Sequence, residues 1–242
     1  MSNARSVSNT RHEKKGGAAR SLLAAQDCAL LLIDFQPTSF FTVQSIDRQL
    51  LISNVLGLAK TAKLFGIPTI LTTVAAANFS GPQLPELEQL FPKVEPIDRT
   101  GNNPWEDDRV VSAVATTGCR KLVMAGLWTE NCVVLPALSA REDGYEVYVV
   151  ADACGGVSTI AHDMAIQRMI QAGVVPITWQ AMMLELQRDW ARQETAGQVQ
   201  EIAKQHGGAQ GQAALYVQTM VENAARETSH DVREKARAGS RR

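Results

Sequence analysis

The sequence predicts an α/β fold with three layers, in which a mostly parallel, roughly six-stranded Rossmann-like sheet lies between two layers of helices. Short apolar runs rich in valine, isoleucine and leucine alternate with longer segments whose apolar residues recur every three to four positions. Strands that alternate with helices form parallel sheets, because each right-handed helical crossover returns the chain to the same end of the sheet.

Six segments are expected to form the strands. The first runs from Cys28 to Asp34 and is apolar without interruption, which is typical of a strand that is covered on both faces. The others are expected at 67–74, at 94–98, up to Gly126, at 146–151 and at 174–179. The run at 94–98 is weak, and the last strand contains a proline, which favours a position near the sheet edge.

Helices are expected between these strands and after them. The apolar spacing predicts helices at 47–65, 86–90, 106–117, from the turn at Cys132 to 143, and at 157–172, and two more beyond the last strand at 181–192 and 212–226. Gly66, Gly118 and Gly144 follow three of these helices, where a left-handed residue commonly ends a helix.

The chain is expected to hold one folded domain with tails. Its 242 residues and 45% hydrophobic content suit a single core at 25–193, after a disordered arm at 1–24 and before a helical extension at 194–228 and a disordered basic tail at 229–242. Two apolar faces follow the last strand and exceed what one sheet can cover, so we expect a homo-oligomer, a dimer or larger. These faces consist of Met182, Met183, Leu186 and Trp190, and of Ala214, Val217, Val221 and Ala224.

Charge and cysteine content favour a small-molecule partner over nucleic acid or membrane. The formal net charge is −1, and positive and negative side chains are interspersed. The four cysteines form no CxxC pair, which argues against a disulfide framework or a zinc site and favours a reducing, cytoplasmic location. The arginine- and serine-rich start of the chain also fits an organellar presequence, which stays an alternative.

A reactive side chain is expected in the turn between the apolar run that ends at Gly126 and the helix that follows it. Thr129 can cap this helix, which would place Cys132 in the first helical turn, near unpaired N–H groups and the positive end of the helix dipole. A thiol in that place is pushed toward thiolate. The alternative is a buried, inert cysteine, which is the commoner fate of this residue type.

Two charged residues follow other predicted strands. Asp34 closes the first strand, and in open parallel sheets ligands bind at the carboxyl ends of strands. Arg99 is expected on a loop after the weak third strand. The alternatives are a capping role for Asp34 and an exposed surface position for Arg99.

Five motifs together resemble the isochorismatase-like cysteine hydrolases. They resemble the superfamily in order and spacing, and the likeness to the YcaC-type branch rests on residues 99–105 and 185–190. The motifs are Leu31 to Gln36, Arg99 to Asn102, Ala125 to Cys132, Pro136 to Ala140 and Ala151 to Ala153. The resemblance covers about 27–190 and implies the same α/β fold.

The resemblance implies a catalytic triad of acid, cation and thiol at Asp34, Arg99 and Cys132. It also implies a cis peptide between Leu127 and Trp128, whose N–H would form an oxyanion hole together with the N–H of Cys132. The family more often has lysine at the second place, and arginine cannot exchange a proton, so the role of Arg99 would be electrostatic. With this cation nearby, we expect the pKa of Cys132 to lie well below the ~8.5 of a free thiol.

The implied activity is hydrolysis of an amide C–N or an ester bond of a small molecule through a covalent thioester. No cofactor or metal is expected, because residues 75–79 lack the Asp-x-His of nicotinamidase-like members and the four histidines are not expected near strand ends. The alternatives are a vinyl-ether hydrolase of isochorismatase type, which would not need the thiol, and a non-catalytic oligomeric binding protein. The expected substrate pocket consists of Phe35, Gln36, Phe40, Phe79, Asn102 and Thr129.

Overall fold

The computed structural model describes residues 21–221 and 223, and it confirms the predicted fold class. Six strands form one sheet in the order β3-β2-β1-β4-β5-β6, and every neighbouring pair is parallel. The strands are β1 Cys28–Ile33, β2 Thr69–Val74, β3 Ile97–Arg99, β4 Lys121–Gly126, β5 Glu146–Val150 and β6 Val175–Ile177.

Helices flank the sheet on both faces. The helices α2, α3, α7 and α8 contact one another in one group, and α5 and α6 pack together in another. The α-helices are α1 Pro37–Phe41, α2 Arg48–Leu64, α3 Pro85–Leu90, α4 Asp108–Thr116, α5 Val134–Glu142, α6 Thr159–Gln171, α7 Trp179–Gln187 and α8 Gln193–His206, and a further helical segment covers 208–221. Two π-helical turns, Ala76–Ser80 and Thr129–Val133, follow β2 and β4 after one and two intervening residues.

The strand order places the switch point of the sheet between β1 and β4. From β1 the chain moves outward through β2 and β3, and it then returns to β4 beside β1 and moves outward in the other direction. In doubly wound sheets the crevice at this point, beyond the carboxyl ends of the strands, is where ligands bind. The residues that follow β1 and β4 therefore meet at this crevice.

A close approach of β1 and β4 fixes the geometry at the crevice. All residues of both strands are buried, and Ile33 lies opposite Gly126 at their carboxyl ends. A Cβ added at Gly126 would lie 2.6 Å from both the Cβ and the carbonyl oxygen of Ile33. Glycine is needed at this position because any side chain would push the two strand ends apart.

Some predicted boundaries and faces are wrong. The third strand lies at Ile97–Arg99, so Arg99 belongs to the strand and not to a loop after it. Met182, Met183 and Leu186 are buried within the chain, because α7 packs against α2 and α8, whereas Trp190 of the same predicted face is exposed.

The extension beyond residue 193 begins with α8, which buries Val199 and Ile202 in the same core. The segment 208–221 keeps Val217 and Val221 exposed, whereas Ala224 lies outside the described residues, as do residues 1–20 of the predicted arm at 1–24 and the predicted tail at 229–242. Within the described part of the chain, no helix is both long enough and apolar enough to cross a bilayer.

Candidate active site

Asp34 stands at the end of β1 in an unusual backbone conformation. Its φ is +56°, in the left-handed region that aspartate tolerates better than most residues. Its backbone N–H donates to the carbonyl oxygen of Thr72 at 3.0 Å, and the Thr72 hydroxyl donates to Asp34 Oδ1 at 3.3 Å. The side chain of Asp34 is fully buried at the crevice.

Arg99 forms a buried, bidentate ion pair with Asp34. Its Nη2 lies 2.8 Å from Asp34 Oδ2, and its Nη1 lies 3.2 Å from Asp34 Oδ1 and 3.2 Å from the carbonyl oxygen of Thr73. The guanidinium reaches Asp34 from β3 across the intervening strand β2. Arg99 is therefore not the exposed surface arginine of the alternative interpretation, since only 5% of the residue is exposed.

Cys132 lies in the π-helical turn that follows β4. The Leu127–Trp128 peptide just before this turn is cis, and Trp128 rather than Thr129 is the N-cap residue. The predicted capping role of Thr129 is wrong, because its hydroxyl contacts His162 Nδ1 at 2.8 Å instead. The thiol of Cys132 is buried, it hydrogen-bonds to Asp34, and the backbone N–H of Trp128 points toward its sulfur.

The electrostatics of this group differ from the sequence-based expectation. Burial and the negative charge of Asp34 raise the pKa of Cys132 to about 12, although Arg99 and the Trp128 N–H act in the opposite direction. Burial also raises the pKa of Asp34, against the lowering effect of Arg99. The expectation of a depressed thiol pKa is wrong, because desolvation outweighs the cation and the helix start. The thiol is therefore neutral at pH 7, and it lies beside Asp34, whose bidentate pair with Arg99 favours the carboxylate form that can accept the proton.

The other residues expected in a substrate pocket lie in different surroundings. Phe35 is fully buried and packs against Phe40 at a centroid distance of 5.9 Å. The amide of Gln36 donates to the carbonyl oxygen of Gly81 at 2.7 Å and accepts from the N–H of Val74 at 2.9 Å, so it ties β1 to the loop after β2.

Phe79 and Asn102 are both exposed, in the π-helical turn after β2 and in the loop after β3. A cavity of about 550 Å³ opens near this second loop, and of the three residues predicted to form a triad only Arg99 lines it. Its other charged lining residues are Asp98, Glu106, Asp107, Asp108 and Arg109. Among residues 21–221 and 223, no group of three or more His, Cys, Asp or Glu is arranged to hold a metal ion.

Two residues near the turn escaped the sequence analysis. Thr72 supports Asp34, and His162 contacts Thr129, although it belongs to α6 and lies far from any strand end in the sequence. The prediction that no histidine approaches this edge of the sheet is therefore wrong for His162. The apolar spacing of α6 was the one signal in the sequence for this contact. That spacing predicts the helix, but it does not specify which of its polar residues face the turn.

The chain is similar in sequence to known proteins. A family model described as the isochorismatase domain matches residues 28–181. The chain is 43% identical over 169 residues to the protein named Probable hydrolase YcaC of Escherichia coli (strain K12). The aligned region covers 69% of this chain and 81% of that relative.

Two solved structures are similar to the chain as a whole. The ycaC gene product of Escherichia coli is described as an octameric hydrolase of unknown specificity. It has a TM-score of 0.79 and 38% identity to this chain, and the alignment covers 84% of this chain and 100% of the relative. YcaC from Pseudomonas aeruginosa, determined with hexane-2,5-diol and covalent acrylamide, has a TM-score of 0.78 and 35% identity and covers 84% of this chain and 99% of that chain.

Proposed function

This chain belongs to the isochorismatase family, as its motifs predicted, and we propose that it is a cysteine-dependent hydrolase of a small amide or ester. Its likeness to YcaC supports the class of hydrolases. The observation that carries the cysteine mechanism is the burial of the Cys132 thiol against the Asp34–Arg99 ion pair at the switch point of the sheet.

In the first chemical step the Cys132 thiol attacks the substrate carbonyl and loses its proton during the attack. A thiol with a pKa of about 12 is almost entirely neutral at pH 7, so Asp34 must accept its proton as the sulfur attacks the carbonyl carbon. The new S–C bond forms while the carbonyl electron pair moves to oxygen. The backbone N–H groups of Trp128 and Cys132 are proposed to hold this oxyanion.

Collapse of the tetrahedral intermediate gives the thioester. The C–N or C–O bond breaks, and the leaving amine or alcohol takes the proton from Asp34. A water molecule then gives a proton to Asp34 and attacks the thioester carbon, and the C–S bond breaks. Asp34 returns the proton to the sulfur, which restores the neutral thiol and releases the carboxylic acid.

Arg99 is proposed to act through its permanent charge. Its guanidinium stays protonated throughout, and its two parallel bonds hold Asp34 in a single orientation. When the proton moves from sulfur to Asp34, the thiolate becomes the anion that remains near Arg99. The cation therefore stabilises both charge states of the pair.

The acrylamide found covalently in the Pseudomonas aeruginosa relative supports a nucleophilic site in proteins of this kind. Acrylamide is an electrophile that carries a primary amide. In this chain Cys132 is the thiol that we propose would react with it, because the carboxylate beside Cys132 can take up the proton.

The proposal is tested with a panel of small primary amides and esters. We expect turnover of at least one compound, complete loss of turnover in Cys132→Ala, and retention in Cys119→Ala, which removes a partly exposed cysteine elsewhere. Mass spectrometry of the stalled enzyme should show an acyl adduct on Cys132 that hydroxylamine removes. Turnover that survives Cys132→Ala would show that the thiol is not the nucleophile, and an enzyme that turns over none of the panel would favour a vinyl-ether hydrolase or a binding protein.

We also propose that the chain forms homo-oligomers, as the Escherichia coli relative does. The segment 208–221 leaves Leu215, Tyr216, Val217, Met220 and Val221 more than half exposed, which is unusual for apolar side chains on one helix. Multi-angle light scattering should give a mass above that of the monomer. A monomeric mass at micromolar concentration would refute this.

A further inference from the structure

Hydrogen bonds connect the turn that carries Cys132 to the segment that follows β5. The Thr129 Oγ1 and His162 Nδ1 atoms lie 2.8 Å apart in hydrogen-bond contact. The Thr129 N–H donates to the carbonyl oxygen of Gly155 at 2.9 Å, and the N–H of Val157 donates to Glu130 Oε1 at 3.0 Å. Backbone and side chains thus fasten the first half of the turn to residues 155–162.

We propose that His162, acting through Thr129, is a positioning residue that fixes the orientation of the Cys132 turn and of its backbone N–H groups. This inference rests on the proposed cysteine mechanism. His162 does not reach the reacting atoms in this scheme. It holds Thr129, which stands directly after the N-cap Trp128 and three residues before Cys132.

Contacts with other segments hold the beginning of the turn: the indole N–H of Trp128 donates to the carbonyl oxygen of Ser39 and to the Thr42 hydroxyl, and His162 adds a contact at Thr129. No side chain caps it at Trp128, and it is a single π-helical turn of five residues. Thr129 is fully buried, so its hydroxyl would lack a partner without His162. Burial lowers the pKa of His162, so the ring is neutral at pH 7 and one of its nitrogens can accept a hydrogen bond from a hydroxyl.

The segment that carries His162, the beginning of α6, is held in place by its own contacts. The imidazole lies in the first turns of α6, where the Ser158 side chain caps the N–H of Ala161. Gly156 packs so closely that an added Cβ would lie 2.7 Å from Glu130 Oε2 and 3.1 Å from His162 Cβ. The contact between His162 and Thr129 therefore joins two fixed segments, which is what positioning of a nucleophile requires.

The test uses the rate of modification of Cys132 by acrylamide, measured at several acrylamide concentrations so that the maximal rate and the half-saturating concentration are obtained separately. Thr129→Val removes the hydroxyl at nearly constant shape, and His162→Leu removes the nitrogen. Thr129→Ser and His162→Asn keep groups that can hydrogen-bond. His206→Gln serves as the matched control, because His206 is a partly buried histidine that contacts Ser53 and Lys60 elsewhere in the fold.

We expect Thr129→Val and His162→Leu each to lower the maximal rate about tenfold, because small displacements of a reacting group cost one to two decades in rate. The half-saturating concentration should change by less than about twofold, since ground-state binding is unaffected. His206→Gln should react as the parent does, whereas Thr129→Ser and His162→Asn, which keep a hydrogen-bonding group, should recover most of the rate that the apolar variants lose. The double variant Thr129→Val/His162→Leu should be no slower than either single variant, because both remove the same contact.

Three outcomes would overturn the inference. In the first, Thr129→Val and His162→Leu react at the parent rate while Cys132 is modified normally, which leaves the proposed function intact. In the second, His206→Gln and the conservative variants slow the reaction equally, which indicates a general loss of stability. In the third, acrylamide does not modify Cys132 in the parent, and then the proposed function falls as well.

Discussion

Replacing Asp34 with Asn should change the pH dependence of Cys132 alkylation in shape, not only in scale. In the parent, the neutral thiol reacts as Asp34 takes its proton, so the rate should fall on the acid side as Asp34 becomes protonated. Because burial raises the pKa of Asp34, this fall should lie at a higher pH than for an ordinary carboxyl group. In the variant no carboxylate is present, and only the free thiolate reacts.

The magnitude follows from the pKa of the thiol. With a pKa of about 12, the thiolate fraction of Cys132 at pH 7.5 is roughly 3,000-fold smaller than that of a free cysteine with a pKa of ~8.5. Loss of the neighbouring negative charge should lower the pKa of Cys132 by about one to three, which raises the thiolate fraction roughly ten- to a thousandfold. Turnover should nevertheless fall by about two to four decades, because the proton acceptor is gone.

The assay is alkylation by iodoacetamide from pH 4 to 10, read from the peptide that contains Cys132 by mass spectrometry. A peptide-resolved readout is needed because Cys28, Cys119 and Cys154 are also free thiols. Glu95→Gln, which removes one exposed negative charge in a loop, controls for net charge. The profiles of parent and Asp34→Asn should cross, with the parent faster in acid and the variant faster in base.

One result would refute this reasoning. If the parent shows a single titration with a midpoint near or below 8.5 and Asp34→Asn leaves it unchanged, then the thiolate is already formed in the resting site. Arg99 and the helix start would then outweigh burial and the charge of Asp34. The macroscopic values belong to the coupled acid and thiol, so the comparison between variants decides the matter.

Three further predictions concern stability in urea. Arg99→Met should lower the free energy of unfolding by about 3–5 kcal/mol, because it leaves the buried Asp34 carboxylate without its partner. A loss below about 1 kcal/mol would contradict the assignment of a buried ion pair. Gly126→Ala should lower it by about 1–3 kcal/mol through the clash with Ile33, whereas Gly101→Ala, with nothing within 4 Å of the added Cβ, should be neutral. Burial and the nearby Lys60 lower the pKa of His206 to about 4, so the unfolded chain binds more protons than the folded one between about pH 6.5 and 4. Stability should therefore fall as the pH drops through this window, and His206→Gln should remove that part of the pH dependence.

The fold was predictable because it depends on patterns that are local in sequence. Alternation of apolar runs with helical stripes indicates a parallel sheet, and the carboxyl ends of its strands share one edge. That reasoning alone brought Asp34 and Cys132 to the same edge. Element boundaries were less predictable: β3 has only three residues, and its pairing with β2 decides that Arg99 lies within the strand.

The electrostatics of the site were not predictable, because they depend on burial and on contacts between distant segments. A helix start and a nearby cation both favour a thiolate; the sequence indicates the helix start, and the family resemblance implies the cation. The sequence does not show that Cys132 is almost fully enclosed or that its thiol contacts Asp34, and these two effects are the largest. The contact of His162 with Thr129 was not predictable for the same reason. It joins residues 33 positions apart, and it depends on how α6 packs.

The opposing effects on the thiol indicate why the site contains a permanent cation. A carboxylate, a guanidinium and a neutral thiol carry no net charge together, and the sum stays zero when the proton moves from Cys132 to Asp34. Without Arg99, each charge state would leave one unpaired anion in a buried place, which is costly. With Arg99, the proton transfer only exchanges which anion lies beside the cation. The barrier to forming the nucleophile is lowered in this way even though the pKa of the resting thiol is high, so a high thiol pKa and an active cysteine are compatible in this fold.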